Sequence, residues 1–457
     1  MSGVQSSLVE KKLQKALDDH QAGRLAQAEQ IYREILATDS QHPDCLHLLG
    51  MVAFQMGRSD ESLVLIRKAI DIKGNAAAYH SNLGNVLQSQ GRLGEAGACY
   101  QRALLLKPDS AEVYVNLGNI FKEQGQIDSS LTCYRRALAL NPGLADAAAA
   151  EANMLLLQGD FAHGWIGTER RWDTSDFDTP KRDFPWPRWN GERLPDGRLL
   201  IWGEQGMGDE IMFAGLIPDV IRTGASCVLD CDPRLKTLFA RSFPEVVAVS
   251  GFAPDRHSDL EIAAHLPSGS LPGLFRTSSA AFGATTSPYL AADPLRRAEL
   301  RARYSDGRKI VGLAWYTANK KTGRSRSIDL SLMAPLFAVS SMRWVSLQYG
   351  NHDDLEKQAA AANAPILVDR DVDQLTDIDA FAAQVTAMDL VITIDNSTAH
   401  LAGALGVPTW VLLPFAPNWR WLLERSDSPW YPSVRLFRQT KEGDWQSVIQ
   451  HVKNAAE

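Results

Sequence analysis

Three short stretches of this 457-residue chain hold residues whose types and spacing suit work on an anionic ligand. The first, Gly203-Glu204-Gln205-Gly206-Met207-Gly208-Asp209-Glu210, comes after an apolar, β-rich run. Gly206 and Gly208 allow a tight turn and let a ligand approach exposed amides at the start of a helix. Asp209 places a carboxylate at that start, where it suits either a general base or a helix cap. The second stretch, Asp395-Asn396-Ser397-Thr398-Ala399-His400-Leu401, also leaves a strand-like run and enters a helix. Its free amides and dipole favour an anion such as a diphosphate, and Asn396, Ser397 and Thr398 add hydrogen-bond donors. His400 either reaches that ligand or is satisfied within its helix. The third stretch, residues 316–327, carries Lys320, Lys321, Arg324 and Arg326 after another strand. Four cations there suit phosphate neutralisation, or else form a solvated basic loop.

Several chemistries are disfavoured. The glycine spacing departs from the GxGxxG dinucleotide pattern, and there is no Lys-Ser/Thr pair of a P-loop, so neither NAD nor ATP chemistry is expected. The net charge of -7 is spread along the chain, with 15 Lys/Arg against 17 Asp/Glu in residues 1–157. No basic face results, and nucleic acid is not expected as a partner. Of the five cysteines, Cys99 and Cys133 read as small buried fillers, while Cys227 and Cys231 lack a second pair for zinc. Neither a metal nor a cofactor is expected. No stretch reaches the roughly 18 apolar residues of a membrane span, and residues 1–17 lack an apolar signal core, so the expected location is cytoplasmic.

The elements that must position these residues change character along the chain. From Arg198 onward, short apolar runs alternate with helix-like segments: LLIWG, SCVLD and VVAVSG, then a break near residues 287–306, then KIVGLAW, RWVSLQYG, APILVD, DLVITID and PTWVLLP. Strands alternating with helices predict parallel sheets with crossover helices. Two such series in succession predict two Rossmann-like domains, residues 198–290 and 307–440, facing one another across a cleft, with a C-terminal helix in residues 441–457. Ligands of such sheets bind beyond the carboxyl ends of the strands.

Before Arg198 the pattern is a repeat. Gly23, Gly57, Gly91, Gly125 and Gly159 recur every 34 residues. Small residues recur five positions later (Ala28, Ser62, Ala96, Ser130), and large ones nine later (Tyr32, Ile66, Tyr100, Tyr134). Period and pattern match the tetratricopeptide repeat, an array of paired helices. The array should occupy residues 1–157. A partial repeat and a Trp/Pro-rich, non-helical linker then fill residues 158–197, and the linker's Trp side chains are expected to pin the array against the sheet-containing region. The fold class is therefore α plus α/β: an N-terminal α-solenoid, then a sheet-containing region. Asn82 and Asn116 share one repeat position, and Asn85, Asn119 and Asn153 share another three residues on, which places both series on one helix face. These amides either line an inner surface that binds an extended protein acceptor through its backbone, or bond neighbouring turns of the array.

Residues 198–440 resemble a GT-B glycosyltransferase related to the bacterial lipopolysaccharide heptosyltransferases. The resemblance rests on Gly208-Asp209 after the first strand, and on Asp395, His400 and Leu401 with Gly406 and Pro408 close behind. It implies that Asp209 is the base that deprotonates the acceptor hydroxyl and that the 395–400 motif holds a nucleotide sugar; the cations of residues 320–326 are expected to help hold it. The first Rossmann-like domain would then face the acceptor and the second the donor. Asn396-Ser397 stands where that family has Thr-Gly, which leaves the donor open. The Asn series is similar to the repeats of O-linked N-acetylglucosamine transferases. The joined layout, together with Trp419-Arg420-Trp421 and the aromatic residues up to Gln439, resembles flagellin glycosyltransferases that attach a nonulosonic acid to Ser or Thr. Those aromatics either stack on a base or sugar or close the domain interface, and the interface is the favoured reading for most of them. The expected activity is metal-independent protein O-glycosylation. The alternatives are an adaptor with an inactive GT-B half, and a transferase acting on a glycan or lipid precursor.

Overall fold

The computed structural model describes residues 2–194, 196–284, 287–319 and 322–457. The chain forms two compact units, Met1–Glu151 and Ala152–Glu457, and the division falls inside the helix Ala145–Gln158.

In the first unit, helices pack in successive pairs, among them Pro43–Gln55 with Ser59–Ile72, Ala77–Ser89 with Leu93–Leu106, and Ala111–Glu123 with Ile127–Leu140. The turn glycines Gly57, Gly91 and Gly125 take φ of 78°, 75° and 70°, a left-handed conformation that a side chain disfavours. That requirement explains the fixed period. The large residues of the pattern, Tyr32, Ile66, Tyr100 and Tyr134, are fully buried, as are Ala28, Ser62, Ala96 and Ser130.

Close packing inside each pair depends on a second glycine. A methyl group on Gly84 would stand 2.6 Å from the Tyr100 ring, and one on Gly118 would stand 2.6 Å from the Tyr134 ring. The tyrosine hydroxyls then need acceptors, and the next residue supplies them: Tyr100 donates to Asn85 Oδ1 at 2.7 Å, and Tyr134 to Asn119 Oδ1 at 2.7 Å. Where the repeat has Ile66 instead of Tyr, the equivalent position is Met51, which has no such duty.

The second unit holds two sheets whose strands all run parallel. The first contains β1 (Arg198–Trp202), β2 (Cys227–Asp230), β3 (Val247–Val249) and β4 (Ile262–Pro267), in the order β3-β2-β1-β4. The second contains β5 (Lys309–Ala314), β6 (Met342–Ser346), β7 (Ile366–Leu367), β8 (Leu390–Ile394), β9 (Thr409–Leu413) and β10 (Val434–Arg438), in the order β10-β9-β8-β5-β6-β7. Strands β4 and β10 add to the runs visible in the sequence.

Parallel sheets need both faces covered. Leu199 and Ile201 of β1 enter a core shared with helices, whereas Leu200 and Trp202 point to the other face. There the Trp/Pro-rich stretch takes the place of a helix: Trp172 packs on Trp202 at 5.3 Å between ring centroids and Phe184 at 6.1 Å, with Trp186 beside them. The same stretch runs along β4, where Trp189 N donates to His265 O and His265 N donates to Pro187 O. The helix Phe161–Thr168 belongs to this unit too, with Trp165 against Trp419 and its indole N–H on Arg276 O at 2.7 Å.

Gly84→Ala should lower the stability of the repeat unit by about 1–3 kcal/mol, the usual cost of overpacking a filled core. A circular-dichroism melt of the chain against the variant measures it, and an unchanged midpoint would contradict the Tyr100 contact.

Candidate functional site

In a doubly wound sheet the order of the strands reverses at one point, and the loops leaving the two strands there diverge to open a crevice. In the second sheet that point lies between β5 and β8. The basic loop leaves β5 and the 395–400 motif leaves β8, so the topology brings together two of the stretches singled out by their chemistry. In the first sheet the reversal lies between β1 and β4, and the glycine-rich turn leaves β1.

That turn is built by its backbone. Gly203 N donates to Asp230 O at 2.7 Å, Gln205 sits at φ 66° with its N–H on Thr179 Oγ1, and Gly206 is the N-cap of the helix Met207–Ala214. Asp209 closes the cap: its N–H bonds Gly206 O at 2.9 Å, and its Oδ2 accepts from Gly206 N at 3.3 Å. The capping reading of Asp209 therefore holds, but it uses only one carboxylate oxygen. Oδ1 forms an ion pair with Arg420, from the short 3-10 turn Trp419–Trp421.

The helix Met207–Ala214 packs against the helix Ser397–Ala404, and their starts meet at Gly208. A methyl group on Gly208 would lie 3.2 Å from His400 Cδ2 and 3.4 Å from Ser397 Cα. Asn396 caps the second helix, its Oδ1 accepting from Ala399 N and from Thr393 Oγ1, while its buried Nδ2 has no partner. Thr398 is buried in the first turn. Asp395, 3% exposed, lies 3.3 Å from Arg326 as an ion pair, yet its Oδ2 makes no hydrogen bond.

His400 is the centre of this arrangement. Its ring stacks on Trp421 at 5.4 Å, and its Nδ1 lies 2.9 Å from the Tyr431 hydroxyl. Burial pushes its pKa down to about 4, and the nearby charges Arg420, Asp395, Asp209 and Arg326 act on it in opposing directions. The imidazole is thus neutral at pH 7 and packed, with two Asp–Arg pairs around it.

The basic loop is folded against the ends of β5 and β6. Trp315 N and Tyr316 N both donate to the buried Gln348 Oε1, at 3.0 and 2.8 Å, and Ala318 N donates to the Tyr349 hydroxyl. It delivers Arg326 to Asp395, while Arg324 is exposed. Lys320 and Lys321 lie outside the described residues.

Two features of the site are not legible in the sequence. Arg420 stands among aromatics that suit an interface, and nothing in its local sequence links it to Asp209. The reversal point of the first sheet is filled from within: Arg171 holds Glu204 with two hydrogen bonds, at 3.0 and 2.8 Å, and donates to Ser270 Oγ at 3.0 Å. Glu210, next to Asp209, is half-buried and accepts from Asp232 N at 2.9 Å, and desolvation pushes its pKa up to about 7.

Asn82, Asn85 and Asn116 form a connected series in the first unit. Asn82 Nδ2 lies 2.8 Å from His47 Nε2, Asn85 Nδ2 donates to Asn82 Oδ1 at 3.4 Å, and Asn116 Nδ2 donates to Asn85 Oδ1 at 3.1 Å. Asn119 accepts from Tyr134, and Asn153, in the second unit, is half-buried.

Comparison with known proteins agrees with the first unit. Residues 19–85 and 74–143 match tetratricopeptide repeat families. The first unit is a tetratricopeptide-repeat array. A curated relative, Protein FlbA of Caulobacter vibrioides, is 34% identical over 334 residues, covering 67% of this chain and 54% of that protein. The chain spans about half the length of that relative. A match of that length exceeds the Met1–Glu151 unit and so runs into the sheet-containing one. Among solved structures, PilF of Pseudomonas aeruginosa is 22% identical with a TM-score of 0.35, covering 36% of this chain and 75% of that one. MamA is 19% identical with a TM-score of 0.32, covering 34% and 91%, and YrrB, a repeat protein with an unusual peptide-binding site, is 20% identical with a TM-score of 0.32, covering 35% and 84%. In the described residues no helix is long and apolar enough to cross a membrane.

The lowered pKa of His400 predicts an acid-labile second unit. An unfolded imidazole binds its proton near pH 6.5 and the folded one near 4. The unfolded state therefore takes up more protons between those values, and stability falls as pH drops through them, at up to about 1.4 kcal/mol per unit. His400→Gln should flatten the fall of the melting midpoint between pH 6.5 and 4. An unchanged slope would mean that His400 titrates normally.

Proposed function

We propose that the chain is a GT-B glycosyltransferase that moves a sugar from a nucleotide-sugar donor to a Ser or Thr hydroxyl of a protein held by the repeat array. The observation that carries this reading is the meeting of two helix starts at Gly208, one from each sheet, with Asp209 on one side and the Asp395–Arg326 pair on the other. The start of Ser397–Ala404 suits a phosphate, and the charges of Arg326 and Arg420 both act on His400 in its first turn. Asp209 lies on the facing helix, where an acceptor hydroxyl would approach.

In the transfer step the acceptor oxygen attacks the anomeric carbon as its proton passes to Asp209. The bond from that carbon to the phosphate oxygen breaks, and the nucleotide leaves with the electron pair as an anion. The leaving charge falls on the helix amides and guanidinium groups, preorganised donors that stabilise charge as it develops. The resemblance in layout to flagellin glycosyltransferases makes flagellin the first acceptor, and a nonulosonic acid the first sugar, to try.

One observation favours a second reading, an adaptor without catalysis: in the free chain Asp209 is ion-paired, and His400 is packed as a neutral core residue.

A thermal-shift screen against UDP, GDP, ADP and CMP separates the two, because a ligand of the folded state raises the midpoint, by about 2.7 kcal/mol of stability at 100 times its Kd. Transferase function predicts a shift with one of them, and the absence of any shift favours the adaptor. Asp209→Asn should then reduce transfer to the acceptor about 100-fold or more while nucleotide binding persists. Undiminished transfer would remove Asp209 from the role of base.

A further inference from the structure

Arg420 is the least expected member of the site. Its guanidinium lies over the Trp419 ring at 4.5 Å, its Nη1 donates to Asn418 Oδ1 at 2.7 Å, and its Nη2 pairs with Asp209 Oδ1. Its Nε is buried without a partner. The stem and the stacked face thus fix the side chain, while its fork retains an unused donor and an acidic partner from the facing helix. A guanidinium fork matches two phosphate oxygens as well as it matches a carboxylate.

The surroundings point to an anion. Asp209, Arg420, Asp395 and Arg326 all act on His400, whose imidazole is neutral, so the charges of the free site cancel in two pairs. The buried Nδ2 of Asn396, at the cap of the Ser397–Ala404 helix, is unpartnered as well. A phosphate entering between two helix starts adds negative charge beside two carboxylates, and it is accommodated only if a cation changes partner.

We propose that Arg420 is a ligand of the donor phosphate which, until that phosphate draws it away, occupies the Asp209 oxygen that would receive the acceptor proton. This rests on the sugar-transfer reading and adds an order to it. The donor binds first, and its phosphate takes Arg420 from Asp209. The freed carboxylate can then accept the hydroxyl proton as the sugar is transferred. Without donor, Asp209 is masked.

The exchange has an unusual signature. Phosphate and Asp209 compete for one guanidinium, so removing the carboxylate should tighten nucleotide binding. Calorimetric titration of UDP, GDP, ADP and CMP into the full chain tests this with Asp209→Asn, Arg420→Lys and the double variant, each checked for folding by circular dichroism. The nucleotide bound by the unsubstituted chain should bind Asp209→Asn about fivefold tighter, the scale of one part-exposed ion pair. Arg420→Lys should weaken it about tenfold, since lysine keeps the charge and loses the fork. The gain from Asp209→Asn should disappear in the Arg420→Lys background. Asp209→Ser repeats the measurement if the Asn variant does not fold. Equal or weaker binding by a folded Asp209 variant overturns the exchange and leaves the sugar-transfer reading standing. Failure of all four nucleotides to bind the unsubstituted chain overturns both.

Discussion

Two helix starts in contact should repel, because each carries the positive end of a macrodipole and a set of unsatisfied amides. The second unit brings Met207–Ala214 and Ser397–Ala404 together at Gly208, where a side chain would touch His400 and Ser397. That approach needs negative charge close by, and the two carboxylates at the junction, Asp209 and Asp395, supply it. Each carboxylate then takes an arginine, which keeps the buried cluster neutral. His400 must also be neutral, since a third cation between two helix starts has no partner left. Burial, with Arg420 beside it, keeps it so. The residues singled out as chemistry are thus the same residues that electrostatics requires for the two helices to touch at all.

The two sheets use their crevices differently. In the first, the reversal point between β1 and β4 is filled by the chain's own side chains: Glu204 leaves β1, Ser270 comes just after β4, and Arg171 clamps both. Removing one partner of such a buried pair leaves an uncompensated charge, so the clamp holds the glycine-rich turn in one conformation. In the second, the corresponding point is lined by Asp395, Arg326 and the start of a helix; Asp395 is ion-paired with Arg326, and the buried Nδ2 of Asn396 has no hydrogen-bond partner. An unpaired buried donor is costly, and this one lies at the reversal point of the sheet. The first sheet fills its reversal point with this clamp, and the second leaves a buried amide donor there without a partner.

Much of this is legible in the residues, and what is not has a physical cause. The left-handed turn glycines and the buried Tyr positions are local requirements, so the repeat can be read from spacing alone. The runs rich in Val, Ile and Leu show themselves as strands for the same reason. Strand β4 is hidden because Ile262-Ala-Ala-His-Leu-Pro is poor in β-branched residues and comes directly after Glu261 at φ 48°. Strand β10 is hidden by Arg435 and Arg438, and the latter is half-buried with its guanidinium on the carbonyls of Arg425 and Trp421. Arg420 cannot be assigned from sequence because its partner is 211 residues away, and only the packing of the two helices brings them together.

The asparagines show how one pattern can serve two needs. Asn85 and Asn119 are present because a buried tyrosine hydroxyl, from the next helix of the pair, needs an acceptor. Tyr32 has Leu17 at the equivalent position, and its hydroxyl is buried without a partner. The second series, Asn82 and Asn116, extends Asn85 into a chain ending at His47, which burial keeps neutral with a pKa of about 4. A peptide laid along these amides must replace amide–amide bonds rather than make new ones, so each exchange contributes little. The selectivity of such a surface would then come from side-chain fit and from the number of amides engaged together, and the regular spacing set by the 34-residue period is what allows many to be engaged at once.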